Sequence, residues 1–167
     1  VELRFVGSAT VADAEQFERD AQACIARVVR DAKKLVVICT DARATHLFPP
    51  EVTDRLIQAM RRANPNLERN GMFGNGSAIL TLQIARFIKD AANENRRRVF
   101  TREEPLLSWL DEVLTEPERT RMRRFLDELD PSLRPTPQDL PESHLKTPTP
   151  PAKPRRLGAP RRTPGER

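Results

Sequence analysis

KLVVICTDAR, residues 34–43, decides the fold. Leu35 to Cys39 is apolar at every position, the longest such run in the chain. A strand with one wet face would alternate; an unbroken run suits a strand covered on both faces, as in a parallel sheet flanked by helices. Asp41 is expected to end it. Upstream, Val1, Leu3 and Phe5 alternate with Glu2 and Arg4, which predicts a first strand over residues 1–6, broken by Gly7. Thr10 and Asp13 resemble a capping box with Asp in place of the usual Glu or Gln. The helix it opens carries Ala14, Phe17, Ala21, Ile25, Val28 and Ala32 on one stripe.

Downstream, Pro49-Pro50 opens a second helix, since the first helical positions need no N–H partner. Val52, Leu56, Met60 and Ala63 form its apolar stripe and Pro65 stops it. Arg69 to Phe73 reads as a third strand, weakened by Gly71. Gly74-Asn75-Gly76 turns the chain into a helix capped by Ser77, with Leu80, Ile84, Phe87, Ile88 and Ala91 on one face. Arg97 to Thr101 is a fourth strand. The next helix carries Leu106, Leu107, Trp109, Leu110, Val113 and Leu114, and Pro105 sets its start near Glu104. Thr115-x-x-Glu118 is a capping box for a last short helix with Met122, Phe125, Leu126 and Leu129 aligned, and Pro131 closes the folded part. Strands alternating with helices predict an α/β fold with a mostly parallel sheet flanked by helices.

The charge is unevenly spread. The 167 residues carry 29 basic and 24 acidic groups, net +5. Eight Lys/Arg against three Asp/Glu lie from residue 131 on, so residues 1–130 are balanced at 21 of each. Ten of the fifteen prolines lie in that tail, with four Leu and no aromatic residue. Such a segment cannot bury enough apolar surface to offset the entropy of ordering, so a disordered, basic, proline-rich tail is expected over 131–167. No apolar run approaches the roughly 20 residues that span a bilayer, and the N-terminus lacks a signal-peptide pattern. Cys24 and Cys39 sit within apolar patterns, as small buried hydrophobes in a reducing compartment. Two His and two Cys without close grouping argue against a structural zinc site. A soluble, cytoplasmic protein with no cofactor is expected.

The order of strand, helix, buried strand, helix, strand, glycine turn, helix, strand and Trp-containing helix resembles the STAS superfamily. It looks closest to small bacterial STAS-like proteins of the anti-sigma-factor-antagonist type. The segments that carry the likeness are KLVVICTDAR (34–43), ANPNLERNGMFGNGS (63–77) and RRVFTREEPLLSWLDEVL (97–114). The resemblance implies a STAS-like domain over 1–114, followed by an additional helix over 115–130 and the tail over 131–167. It also implies a further strand, hairpinned to the first, upstream of Val1. Phosphoregulated members open the helix after the buried strand with a serine; here Phe48, Pro49, Pro50 and Glu51 occupy that region. Thr45 and Thr53 are the nearest hydroxyls and neither falls on the motif position, so the usual phospho-serine switch is not expected.

Family members meet their partners at the loop following the buried strand. The partner-binding candidates here are Asp41, Arg43, His46, Leu47, Phe48, Glu51 and Thr53, a mix suited to an apolar centre with a charged rim. The plainer alternative tucks Leu47 and Phe48 back onto the sheet and leaves His46 solvated. Gly74, Asn75, Gly76 and Ser77 lead into a helix N-terminus that could hold a phosphate or carboxylate; a tight turn plus an N-cap is the plainer account and the one favoured. His46 has no Ser or Cys beside it in the loop, and a buried Cys39 is unreactive, so the chain is read as not an enzyme. Arg61-Arg62, Arg96 to Arg98 and the arginines of 119–124 read mostly as solvated faces. In the tail, Lys146, Lys153, Arg155, Arg156, Arg161, Arg162 and Arg167 suit phosphates or an acidic protein surface; a solubilising linker is the alternative. The expected function is a non-enzymatic protein-interaction module in bacterial signalling or regulatory assembly, with a protein partner or a second copy of itself. Its rivals are a small apolar-ligand carrier and a nucleic-acid-associated protein acting through the tail.

Overall fold

The computed structural model describes residues 1–133. Strands β1 (Glu2–Gly7), β2 (Val36–Thr45), β3 (Leu67–Gly74) and β4 (Arg97–Phe100) form one parallel sheet in the order β1-β2-β3-β4. Helices α1 (Val11–Ala32), α2 (Pro50–Ala63) and α3 (Ala78–Asp90) make the crossovers, and α4 (Glu103–Asp111) and α5 (Glu116–Asp127) follow the last strand. The expected α/β class, a parallel sheet flanked by helices, is what the chain forms.

Crossovers of one hand between sequential parallel neighbours place their helices on one face. That face joins Ala42 and Met72 of the sheet to Ala14, Val52, Leu56, Ile57, Leu80, Ile84, Phe87 and Ile88 of α1, α2 and α3. The opposite face joins Cys39 and Phe73 to Leu106, Trp109 and Leu110 of α4 and to Met122, Phe125 and Leu126 of α5. The helix expected over 115–130 therefore packs on the sheet beside α4. Because β2 is central and covered on both sides, nine of its ten residues are buried.

Three local readings change. β2 continues past Asp41 to Thr45, because β1 pairs with it there (Val6 with Ala44, Gly7 with Thr45). Gly71 does not weaken β3; a Cβ at that position would collide with Leu106 Cδ1 and crowd Leu110 Cδ1 at 3.2 Å, so the glycine lets α4 seat. Pro131–Leu133 forms a short 3-10 turn, with Leu133 N–H donating to Asp130 O at 3.0 Å. Both capping signals work: Thr10 N–H donates to Asp13 Oδ2 at 2.8 Å and Thr115 N–H to Glu118 Oε2 at 2.8 Å. Among the described residues no helix is long and apolar enough to cross a membrane. Residues 134–167, with the seven tail residues named above and most of the stretch expected to be disordered, lie outside the described part.

Candidate functional site at the carboxyl end of the sheet

Asp41 and Arg43 are two apart on β2 and so point to one face, the side of α4 and α5. Asp41 is 0% exposed. Its carboxylate accepts from Arg43 N–H (3.1 Å), Nε (2.9 Å) and Nη2 (2.9 Å), and from Arg4 Nε (3.1 Å) of the neighbouring strand. Burial alone would raise this carboxyl; the Arg43 and Arg4 donors outweigh burial and hold it below the usual range. The two arginines spend further donors on the last turn of α5: Arg43 Nη2 on Leu126 O at 2.6 Å, Arg4 Nη2 on Phe125 O. Cations at a helix C-terminus meet its orphan carbonyls and the negative end of its dipole. The guanidiniums also lie over aromatic rings, Arg4 on Phe125 at 4.4 Å and Arg43 on Phe73 at 4.7 Å. Asp41 and Arg43, expected to face a partner, instead fasten α5 to the sheet.

Phe48 is also inside. Its ring meets Phe5 edge-on at 5.3 Å and Phe87 at 5.7 Å, so it cannot be the apolar centre of an interface. Gln83 of α3 clamps its backbone from both sides: Phe48 N–H donates to Gln83 Oε1 (3.0 Å) and Gln83 Nε2 to Phe48 O (2.7 Å). The anchored phenylalanine holds His46 and Leu47 outward, both exposed, while His46 N–H bonds Gly7 O at 3.1 Å. Glu51 is exposed and Thr53 half-buried on α2.

The glycine turn stands next to this loop. Asn75 Nδ2 donates to Thr45 O (3.4 Å), and Asn75 Oδ1 accepts from Ser77 N–H (2.9 Å). Ser77 Oγ accepts from Leu80 N–H (3.4 Å), and Gly76 takes φ +86°, a turn conformation open to glycine. Two N–H groups that an anion would use at Gly74, Asn75, Gly76 and Ser77 are thus taken by side chains of the same turn. Cys39 is buried, and desolvation with the nearby Asp41 charge pushes its thiol up to about 12, which keeps it protonated at neutral pH.

The rim has a character that the loop sequence did not disclose. Six large hydrophobic side chains are exposed among the described residues, and four of them lie around this end: Val6, Leu47, Ile79 and Leu82, the last 70% exposed. Ile79 and Leu82 flank Gln83 on the helix that clamps the Leu47 loop. Leu82 breaks the buried stripe of α3, the sequence signal that was available for it.

A second feature lies on the face of the sheet opposite Asp41. An apolar cavity of about 60 Å³ sits among α1, α2 and the sheet, and Arg97 lines it. Arg97 is 2% exposed, which corrects its reading as part of a solvated basic run. The alternation of β4 explains it: Arg97 and Val99 share the face that Arg98 avoids. Burial lowers the Arg97 pKa to about 10. No group of three or more His, Cys, Asp or Glu placed to hold a metal occurs among the described residues. Comparison of the chain with protein-family models, with curated proteins and with solved structures finds no match.

Proposed function

We propose that the chain is a STAS-like, non-enzymatic interaction module that docks a protein partner at the carboxyl end of its sheet in a bacterial regulatory assembly. The supporting observation is the concentration of Val6, Leu47, Ile79 and Leu82 at that one end. Exposed apolar side chains gathered in one region, rimmed by charge, are characteristic of protein-binding surfaces. His46 and Glu51 supply the polar rim, and the Gln83 clamp presents the surface preorganised, which lowers the ordering cost of binding. The regulatory role rests on the resemblance of residues 34–43, 63–77 and 97–114 alone, a fold-level analogy.

The test compares the full chain with a Leu47→Asp/Leu82→Asp variant as baits in a lysate of the source organism. Both positions are surface sites, so the variant should unfold within about 0.5 kcal/mol per substitution of wild type. Loss of a reproducibly captured protein supports the reading. Retention of the same protein by the variant removes this surface from it. A partner lost only on neutralising Arg155, Arg156, Arg161 and Arg162 to Ala, with steep salt dependence, transfers recognition to the tail.

A further inference from the structure

The cavity among α1, α2 and the sheet has walls from Phe5, Phe17, Ile38, Leu56, Met72 and Phe87. Its volume of about 60 Å³ is several times the roughly 10–15 Å³ that one water needs, and under half of the ~150 Å³ apolar cavity known to admit benzene. A ligand of about four or five heavy atoms, smaller than benzene, suits that space, with modest adjustment of the flexible Met60 and Met72 that line it.

One part of the wall is charged. Arg97 Nη2 donates to Met60 O (2.8 Å) and to Asn64 Oδ1 (2.9 Å) at the end of α2. Its Nε is buried and has no hydrogen-bond partner. Among the described residues no carboxylate forms an ion pair with it, in contrast to the arginines of the opposite face. Beside it in register stands Asn70, also on the cavity wall, whose Oδ1 accepts from the Thr40 hydroxyl at 3.2 Å. The amide nitrogen is therefore the end of Asn70 left to donate. Glu18, which also lines the cavity, is ion-paired with Arg62.

A buried guanidinium without a counter-charge carries a desolvation cost that the negative end of the α2 dipole offsets only in part. A carboxylate is the planar anion whose lone pairs match a guanidinium edge. We infer that this cavity binds a short-chain carboxylate of two or three carbons, its anion on Arg97 and Asn70 and its alkyl group among the phenylalanines. A phosphate ester is too large for the space, and a neutral apolar molecule leaves Arg97 Nε unpartnered. This site is interior whereas the docking rim is exposed; both lie on the α1–α3 face, and Phe48, next to Leu47, lines the cavity.

The experiment titrates the full chain with acetate, propionate and hexanoate, and with ethanol and propanol, followed by calorimetry and ligand-observed NMR. Affinities in the millimolar range are expected for ligands this small. Propionate should bind about fourfold tighter than acetate, from one more buried methylene, and hexanoate should bring no further gain. Propanol should bind about tenfold or more weakly than propionate, because it lacks a charge-assisted bond. Arg97→Met should erase the preference for acid over alcohol, and Arg97→Lys should keep part of it. If Arg97→Met does not fold, Ala59→Leu decides: it fills the cavity wall with Arg97 intact and should abolish propionate binding. No carboxylate binding at tens of millimolar, equal binding of acid and alcohol, or propionate binding unchanged in Ala59→Leu each overturns the assignment.

Discussion

Three charged groups are buried in this sheet, and the molecule settles the Asp41–Arg43 pair and Arg97 differently. Asp41, under α5, receives four hydrogen bonds from two arginines, whose further donors run on to Phe125 O and Leu126 O. Arg97, under α2, has two bonds to neutral oxygens, a buried Nε with none, and no opposite charge. Both incur desolvation. In the first case every cost is matched by a partner that is itself useful, because the arginines join a helix end to the sheet. In the second the protein keeps a cation at the wall of an apolar cavity without finishing the pairing. A saturated network acts as a fastening; an unsaturated charge beside a cavity has the makings of a binding site.

The strongest way to break this contrast is Asp41→Asn. It leaves Arg43, itself buried, and the partly buried Arg4 facing each other without an anion, and should cost about 3–5 kcal/mol in urea unfolding. The pH dependence carries a matching sign. The folded Asp41 carboxyl lies below its unfolded value, near 3.9, so its stabilisation is complete well above that pH and is lost as pH falls through the lowered folded value. Wild type should lose stability on acidification, and Asp41→Asn should lack that share of the loss. An unchanged unfolding midpoint would remove the fastening role.

A sharper comparison of the two faces uses Gly71. On the α4–α5 side its missing Cβ is what brings Leu106 and Leu110 against β3; the α1–α3 side has no such contact at this residue. Gly71→Ala should cost about 1–3 kcal/mol, because the obstructing atoms are ends of leucine side chains that can shift in part. A cost near zero in thermal unfolding would show that α4 repacks freely.

These same positions show how far the chain can be read unaided. The two-sided run at Leu35–Cys39 and the box at Thr10–Asp13 are local signals, and the parallel sheet and α1 follow from them. Asp41 looked like a strand end because its partner Arg4 lies 37 residues away, across a crossover that local spacing does not encode. Phe48 read as a loop residue for a similar reason: its pocket is assembled from Phe5 and Phe87, one on each flank of the sequence. Arg97 hid inside an arginine triplet, where only strand alternation and the end of α2 separate it from its neighbours.

The smallest effect belongs to Arg97→Met, and it tests the contrast from the other side. Substitution forfeits the bonds to Met60 O and Asn64 Oδ1, roughly 1–3 kcal/mol. It also relieves the desolvation of an uncompensated charge, a cost of comparable size. The net change should stay within about 1 kcal/mol, well below the Asp41→Asn loss. The sign with pH is distinctive. Burial places the folded Arg97 near 10, below the value of an exposed guanidinium, so between those values the unfolded chain binds more protons. Over that window this residue makes stability rise with pH, and wild type should gain on Arg97→Met. If Arg97→Met proves as costly as Asp41→Asn, with no such gain, Arg97 is a settled charge like Asp41 and the contrast between the two faces fails.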